Sequence, residues 1–573
     1  MEKHSIHSDI PTSSDCVSIR EGPVVEHHGP EKDFTPRLSR VSERPPLSRV
    51  VTSIGTTATA DPNYELDWEE DDCENPQNWP MWYKAVVVGF ISWSGCSVVL
   101  YSTSYTTGLP QLDAQFHTND TVAALGVTTY LLGLAVGCLI LAPISEIYGR
   151  KPVYVVSLIL FVLLVIPCAL ATSLSEVLVV RFLGALAGSA LISNSPGSVS
   201  DIVSDEYRAL AFSIWSIGPL NGPAFGPIIG GFSTQYLGFR WTNWIVMIIS
   251  AVSWIFVCIL KETYAPALLI RRAAQRRKET GDSRWWSRYD QKASFIDLLK
   301  VNLSRPLVMA VTEPICIFWN LYVAVIYGIL YLCFVAYPIV FSQIRGWSIG
   351  ISGLAFVGLG VGSLITIASE PLVRRLINSH KRNPDTGKVY PEAMVSVVSI
   401  AAFLVPIGQL WFSWTCVPPV HWIWPILAGI PFGAGNTAVF IYATNYIAGS
   451  YGIYAASALA GNAVTRSILG ATLPLAGPSM YARLEAHWAG TLLGLLQVAI
   501  IPIPVVFYLY GGKIRDRSML IRSLQQDKER IEERHRVKER RQAGEAVMEE
   551  GTVGPEEEIN VVKPEKIKKE YDG

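Results

Sequence analysis

Three ionisable side chains, Arg181, Glu313 and Arg466, stand inside stretches of sequence that are otherwise almost free of charge. A charge in hydrocarbon is costly, so such a group is expected to face a cavity or a partner. Arginine stays protonated near neutral pH, which leaves Arg181 to hold a carboxylate or to shift its pKa. It lies only a few residues inside its stretch, so snorkelling outward is the competing reading. Glu313, early in its own run, reads as a protonatable partner, a cation-binding group or the mark of a helix entrance. Arg466 has Gly461 and Asn462 beside it and Asn436 and Asn445 on the preceding run. It reads as part of a polar site or as one end of a salt bridge to a loop carboxylate. Asp201, Asp205, Glu370 and Glu392 sit at run ends and read as solvated or interfacial charges.

Aromatic residues recur around Glu313, as Phe318, Trp319, Tyr322, Tyr327, Tyr331 and Phe334, with Trp93, Tyr101 and Trp215 earlier in the chain. Helical spacing puts Tyr327 with Tyr331, and Tyr331 with Phe334, on a shared face. A wide apolar pocket with a few polar groups binds amphipathic molecules loosely, and aromatic faces also hold organic cations. The candidate lining is therefore Trp93, Trp319, Tyr322, Tyr327, Tyr331, Asn436, Asn445 and Arg466, against the plain alternative of packing or lipid contact. The nine histidines fall mostly in tails and loops with no H-x-x-x-H cluster, so no catalytic constellation is expected. The nine cysteines are scattered, without a C-x-x-C pair, and read as small hydrophobes with no disulfide framework and no metal site.

The elements that must position these groups are membrane helices. Of 573 residues 50% are hydrophobic and 17% charged, with mean hydropathy +0.30, too apolar for an ordinary soluble chain. The net charge of −1 hides segregation into two tails and a central loop and gives no argument for nucleic-acid binding. Runs of about 20 apolar residues, enough to cross about 30 Å of hydrocarbon, number twelve. They lie near 84–104, 122–143, 152–172, 177–198, 209–231, 242–261, 308–336, 349–369, 393–414, 421–443, 453–475 and 488–510. The expected layout is a tail over 1–80, a six-helix bundle over 81–262, a loop over 263–306, a second bundle over 307–511 and a charged tail over 512–573. No short apolar run with a cleavage site precedes the first helix, which is expected to serve as the insertion signal.

The fifth run contains Gly-Pro-Leu-Asn-Gly-Pro-Ala-Phe-Gly-Pro-Ile-Ile-Gly-Gly from Gly218 to Gly231. So many glycines and prolines would wreck a helix in water. In a membrane, neighbouring helices re-satisfy freed backbone groups and small residues let helices approach closely. From Gly222 the pattern, with Pro223 inside it, is G-x-x-x-G-P-x-x-G-G through Gly226, Pro227, Gly230 and Gly231. It resembles the antiporter signature of drug/proton antiporters in the major facilitator superfamily, the general alternative being a small-residue packing face. Ala142-Pro-Ile-Ser-Glu146-Ile-Tyr-Gly149-Arg150-Lys151 resembles the inner-face gating motif of the same superfamily, with Glu146 for the usual aspartate and Ala142 for the usual glycine. Basic residues there would also serve as a plain topology signal. Arg181-Phe-Leu-Gly-Ala185-Leu-Ala-Gly188 resembles the motif whose arginine is associated with proton transfer, with Ala185 where glycine is usual. Asp67-Trp68-Glu69-Glu70 and Asn75-Pro76-Gln77-Asn78-Trp79-Pro80 resemble the segment before the first helix of fungal twelve-helix drug/proton antiporters, with Trp68, Trp79 and Trp82 as headgroup anchors.

The resemblance covers about residues 64–518. It implies an all-α integral membrane fold of twelve transmembrane helices in two six-helix pseudo-symmetric bundles, and a proton-coupled exporter of drugs, toxins or secondary metabolites. Arg181 and Glu313 would carry the proton coupling, with the proton gradient as driving force and no cofactor. The expected partners are the bilayer, protons and a small amphipathic substrate, with no nucleic acid, and the chain is expected to be a monomer. A polyamine or nutrient carrier and a non-transporting sensor are the alternatives. Basic residues crowd the loops at one side of the run pattern, which puts both termini in the cytoplasm of a plasma-membrane or vacuolar protein. Asn119-Asp-Thr121 then lies outside and is a glycosylation candidate, whereas Asn302-Leu-Ser304 lies inside. The basic stretch after Glu262 reads as an amphipathic segment along the inner leaflet or as a linker. The alternating charges from Gln525 to Arg541 suit a solvated helix.

Overall fold

The computed structural model describes residues 64–69, 72–204, 207–287, 289–290, 295–382, 389–518 and 520–522. The N-terminal tail, Cys16, Asp205, the side chain of Asn302 and the charged stretch from Gln525 lie outside the described residues. Contacts divide the chain into Met1–Ile514 and Arg515–Gly573. The second unit is described only at its start, where Asp516 and Arg517 end a helix.

Each apolar run lies in helix. In the first half these are α1 Met81–Ser104, α2 Asp120–Tyr148, α3 Arg150–Leu170, α4 Leu174–Ile202, α5 Arg208–Leu237 and α6 Phe239–Ile259. In the second they are α7 Pro314–Pro338, α8 Val357–Ala368, α9 Glu392–Thr415, α10 Ile423–Tyr451, α11 Ala455–Ala499 and α12 Pro502–Arg517. Among the described residues ten helical segments are long and apolar enough to cross a membrane. One of them runs 63 residues from Ala455 to Arg517, and its backbone breaks at Glu485, at φ 59°. A short helix, Ile349–Leu354, leads into α8, and Phe295–Thr312 leads into α7.

The halves repeat one packing scheme. In the first, α1 lies along α5 and α2 along α4; in the second, α7 lies along α11 and α8 along α10. They meet where α2 packs on α11 and where α5 packs on α8 and the helix before it. This is the pairing expected of a duplicated six-helix unit.

Two expectations at the Arg150 end change. Trp79 is buried and packs edge-on against Tyr83, 5.1 Å between rings, so it belongs to the core. Trp68 lies beneath Arg272 at 5.8 Å, leaving Trp82, 64% exposed, as the free anchor of the three. The basic stretch of the central loop forms a helix, Ala265–Thr280, whose Leu269 and Ala273 are buried against protein. Arg271 donates to Tyr148 O at 3.2 Å and Arg272 pairs with Asp72, which ties this helix to the first half.

Candidate functional site

The glycine and proline run is helical throughout α5, and it presents two faces. One lies on α1, main chain against main chain. A β-carbon at Gly222 would sit 2.9 Å from Cys96 O, and one at Gly226 would meet Thr103 Oγ1 with Leu100 O at 2.7 Å. Gly218 and Gly230 meet Ser92 O and Ser104 O in the same way. The other face lies on the second half, where Gly231 approaches Ile349 O, Gly353 approaches Pro227 O, and Gly350 N donates to Gln235 Oε1 at 2.8 Å.

Each internal proline lacks the N–H that would bond the carbonyl four residues back. Pro219 therefore frees Trp215 O, and Pro227 frees Pro223 O. Both are taken by hydroxyls of α1. Ser92 Oγ donates to Trp215 O at 2.8 Å and accepts from Gly218 N at 3.0 Å. Thr103 Oγ1 donates to Pro223 O at 2.9 Å. Sequence reading missed both residues because serine and threonine in an apolar helix look generic. Their separation of eleven residues, three helical turns, puts both hydroxyls on one face of α1, and that shared polar face is the signal that could have found them.

A polar line crosses the centre between the halves. Arg181 is buried and does not snorkel. Its Nε donates to Gly126 O at 2.8 Å and its Nη2 to Tyr101 O at 3.2 Å, while Tyr105, Tyr101 and Tyr130 surround the guanidinium at 4.3, 4.5 and 5.0 Å. Main-chain carbonyls and ring faces take the place of the carboxylate expected there. Nη2 also reaches Ser102 O at 3.5 Å, and Ser102 Oγ pairs with the Tyr331 hydroxyl at 3.0 Å across the two halves. Tyr331 lies 4.7 Å from Tyr327, ring to ring. Tyr327 lies 5.5 Å from Arg466, and Phe440 lies 4.6 Å from it on another side. Thr128 Oγ1 adds a second link between the halves, donating to Ala471 O at 2.6 Å. Ser102, Thr128, Gln235, Tyr331 and Gly350 all lie toward the bundle end that carries Asn119. Beyond them, at that end, residues of both halves line a small open pocket of about 50 Å³ that includes Thr106, Asp120, Gln343 and Pro478.

At the opposite end, Gly149 takes φ 97°, a conformation suited to glycine, and lets the Glu262 carboxylate close on the first turn of α3. Glu262 Oε1 accepts from Arg150 N at 2.9 Å and Oε2 from Lys151 N at 3.1 Å, an anion at a helix N-terminus. The buried Arg150 side chain reaches Asp201 at 3.5 Å and donates to Ser145 Oγ at 2.6 Å, with Tyr264 4.9 Å beneath it. Burial, and next the nearby Glu146 carboxylate, push the Tyr264 phenol above its ordinary range, so the ring stays neutral under the cation. Glu146 itself is exposed at the end of α2. The acid in contact with Arg150 is Asp201, which sequence position had suggested to be solvated, and Glu262 completes the cluster.

The remaining candidates disperse. Glu313 is the N-cap of α7 and accepts from Tyr451 OH at 3.3 Å, in the second half and away from the Arg181 cage. Trp319 and Tyr322 are buried inside the second half, with Trp319 packed on Tyr446 at 5.2 Å and on Phe507 at 5.7 Å. Trp93, 45% exposed, lies nine residues from Ser102. At 100° per residue that is the opposite side of α1 from its contact with the second half, so Trp93 faces away from the seam. Asn436 is buried and donates to Phe432 O at 2.8 Å, while Asn445 is exposed. Asn462 donates to Asn320 Oδ1 at 3.0 Å, joining α11 to α7. Asn119 is exposed and caps α2, accepting from Val122 N at 2.9 Å.

Two helical halves of matching plan, joined by close-packed seams around a polar centre, define a membrane transporter rather than an enzyme. Similarity to known proteins carries the assignment further. The chain belongs to the Major Facilitator Superfamily, whose family model matches residues 88–474. A citrinin biosynthesis cluster MFS transporter of Monascus ruber is 39% identical over 467 residues, covering 80% of this chain and 93% of its own length. Proteins named efflux pumps from Gibberella moniliformis and Floropilus chiversii are 36% and 35% identical, each covering 86% of this chain and 84% and 93% of their own. Among solved structures, an MFS proton:xylose symporter matches with TM-score 0.55 at 14% identity, over 75% of this chain and 96% of that one. A POT family transporter matches with TM-score 0.54, also at 14% identity, over 76% of this chain and 97% of that one. At such identity these structures speak for the fold alone. The protein is thus a multi-pass membrane transporter that sits in the bilayer and binds small substrates.

Proposed function

We propose that this transporter exports small amphipathic organic molecules, such as toxins, drugs or fungal secondary metabolites, by alternating access driven by the proton gradient. The observation that carries the reading is the double-faced α5, bound to α1 on one side and touching the second half through Pro227, Gly231 and Gln235 on the other. Such a helix lets one half rock against the other without a gap for ions. The names of the relatives, efflux pumps and a biosynthesis-cluster transporter, support export of this class of molecule. By the positive-inside rule the Arg150 end and both termini face the cytoplasm of the plasma membrane, which makes the state described here closed toward the outside. Asn119 would then be available for glycosylation, and the protein works as a monomer.

Proton coupling needs a group that titrates. Arg181 cannot, so its role is to fix α4 to α1 and α2, which leaves Glu313 and Asp201 as the candidate carboxylates for coupling. A polyamine carrier fits less well, because the polar line through the centre holds two arginines, and among the described residues Glu313, at a helix entrance, is the carboxylate nearest the middle of a run.

The test is accumulation of a panel of labelled amphipathic compounds in cells with and without the protein, repeated with an uncoupler. Lower accumulation that the uncoupler abolishes is expected. Unchanged retention across the panel would refute export, and export that survives a collapsed gradient would refute proton coupling.

A further inference from the structure

We propose that Arg466 anchors the cargo, and that the cargo it selects is an aromatic or ring-bearing organic anion, a carboxylate or an acidic phenol. This deepens the export reading and rests on it for the word cargo. The guanidinium of Arg466 is half-buried on α11 between Phe440 of α10 and Tyr327 of α7. Its helix, α11, packs on α2 of the first half, which places it at the seam between the halves. Its Nε is buried and has no hydrogen-bond partner. Among the described residues, ion pairs engage Arg150, Arg272, Arg277, Arg284 and Arg374, whereas Arg466 has no carboxylate.

The other arginine of the centre shows what a purely structural cation looks like. Arg181 is 1% exposed and, with only Nη1 left without a partner, sets Nε and Nη2 against three carbonyl oxygens and its guanidinium against three rings. Arg466 has the rings and lacks the oxygens. An unsatisfied charge-bearing donor in a low-dielectric site calls for an acceptor. The planar fork of Nε and Nη matches a carboxylate bidentately. Phe440 and Tyr327, which hold the guanidinium, give the site an aromatic surround that favours a ring-bearing cargo over a simple inorganic anion. The chain from Tyr327 through Tyr331 to Ser102 runs from the site to the link that closes the Asn119 end. Occupancy at Arg466 is thereby coupled by contact to the seam that must part.

The experiment uses the full chain in lipid nanodiscs with 1-naphthoate, its neutral isostere 1-naphthamide and the cation 1-naphthylmethylammonium, in equilibrium binding. Wild type is expected to bind naphthoate about tenfold or more tightly than naphthamide, the size of one charge-assisted hydrogen-bonded pair. Arg466→Gln should bring that ratio close to one while leaving naphthamide affinity unchanged. Arg466→Lys, which keeps the charge and loses the fork, should retain a reduced preference for the acid and shows that loss in the glutamine variant is not loss of fold. Equal binding of acid and amide, absence of naphthoate binding, preference for the ammonium, or an unchanged ratio in Arg466→Gln would each overturn the proposal. Binding needs no gradient, so the two readings fail separately. A protein that selects the acid but moves nothing across vesicles defeats export alone, whereas export of neutral compounds undisturbed by Arg466→Gln, with no preference for the acid, defeats this inference alone.

Discussion

Thr103→Val should destabilise the protein in a way that depends on Pro227, a residue on another helix. Valine keeps the shape of threonine and removes the hydroxyl that donates to Pro223 O at 2.9 Å. That carbonyl has lost its own helical donor because residue 227 is proline, so the substitution leaves a buried acceptor with no partner. Measured couplings for interhelical hydrogen bonds in membranes average about 0.6 kcal/mol and reach about 1.7, while stranding a buried acceptor costs about 1–3. A cost of about 1–2 kcal/mol is expected for the single substitution. In a Pro227→Ala background the restored N–H of residue 227 can bond Pro223 O as in any helix. Thr103→Val should then cost about 0.5 kcal/mol or less, a coupling well above the roughly 0.3–0.5 kcal/mol within which independent sites add. The assay is reversible unfolding of the four proteins in bicelles, by denaturing detergent or heat. Ser92→Ala paired with Pro219→Ala provides a second cycle, with a larger single cost because Ser92 also accepts from Gly218 N. An equal cost of Thr103→Val in both backgrounds would refute the idea that the hydroxyl stands in for the missing N–H.

Three further outcomes follow from the same contacts. Gly226→Ala puts a methyl group against Thr103 Oγ1 and within 2.7 Å of Leu100 O, and should lose about 1–3 kcal/mol by overpacking together with most transport; Gly89→Ala, with nothing within 4 Å, should keep both. Glu262→Gln replaces a carboxylate that accepts four main-chain N–H groups, from Arg150, Lys151, Thr263 and Tyr264, and should loosen the α2–α3 turn by about 1–2 kcal/mol, read as faster amide exchange at Lys151 and Tyr264; unchanged exchange would count against the cap. Gln235→Cys with Gly350→Cys places two thiols where an amide now bridges α5 to the second half, and oxidation should halt export until reductant is added. Export that continues at full rate with the bridge formed would show that this end does not need to part.

The helical plan was legible in the sequence because each run is long and apolar, and because one pattern of glycines and prolines is hard to explain outside a membrane helix contact. The partners of that helix were not legible. Which hydroxyl meets which freed carbonyl depends on the relative rotation of α1 and α5, and periodicity within either helix is silent on that. The same holds for the ends of the charged residues. Glu146 and Asp201 are both acids near a helix terminus, 55 residues apart, and only the crossing of α4 beside α2 decides that Asp201 meets Arg150. Arg181 was legible as a charge inside an apolar run, but its partners are carbonyls on α1 and α2 that any sequence supplies everywhere. The aromatic positions of α7 separate by face alone: Trp319 and Tyr322 turn into their own half, whereas Tyr331 turns to Ser102.

The two faces of α5 differ in a way that fits a transporter that rocks. Lipid tails are as apolar as the side chains they touch, so helix association in a bilayer rests on close packing and on hydrogen bonds rather than on expulsion of water. Toward α1, α5 has both, with four glycines seated on main chain and two hydroxyls closing carbonyls that have no other helical donor. Separating that face would strand acceptors in hydrocarbon, where water cannot replace the lost partner. Toward the second half, α5 has the close packing of Pro227 and Gly231 and a single amide bridge from Gln235, near the membrane end. When that bridge breaks, the Gln235 amide and the Gly350 N–H lie near the end of the bundle, within reach of water. The seam that must open in each cycle is thus the one whose polar groups can be rehydrated, and the seam that must hold is the one whose polar groups cannot.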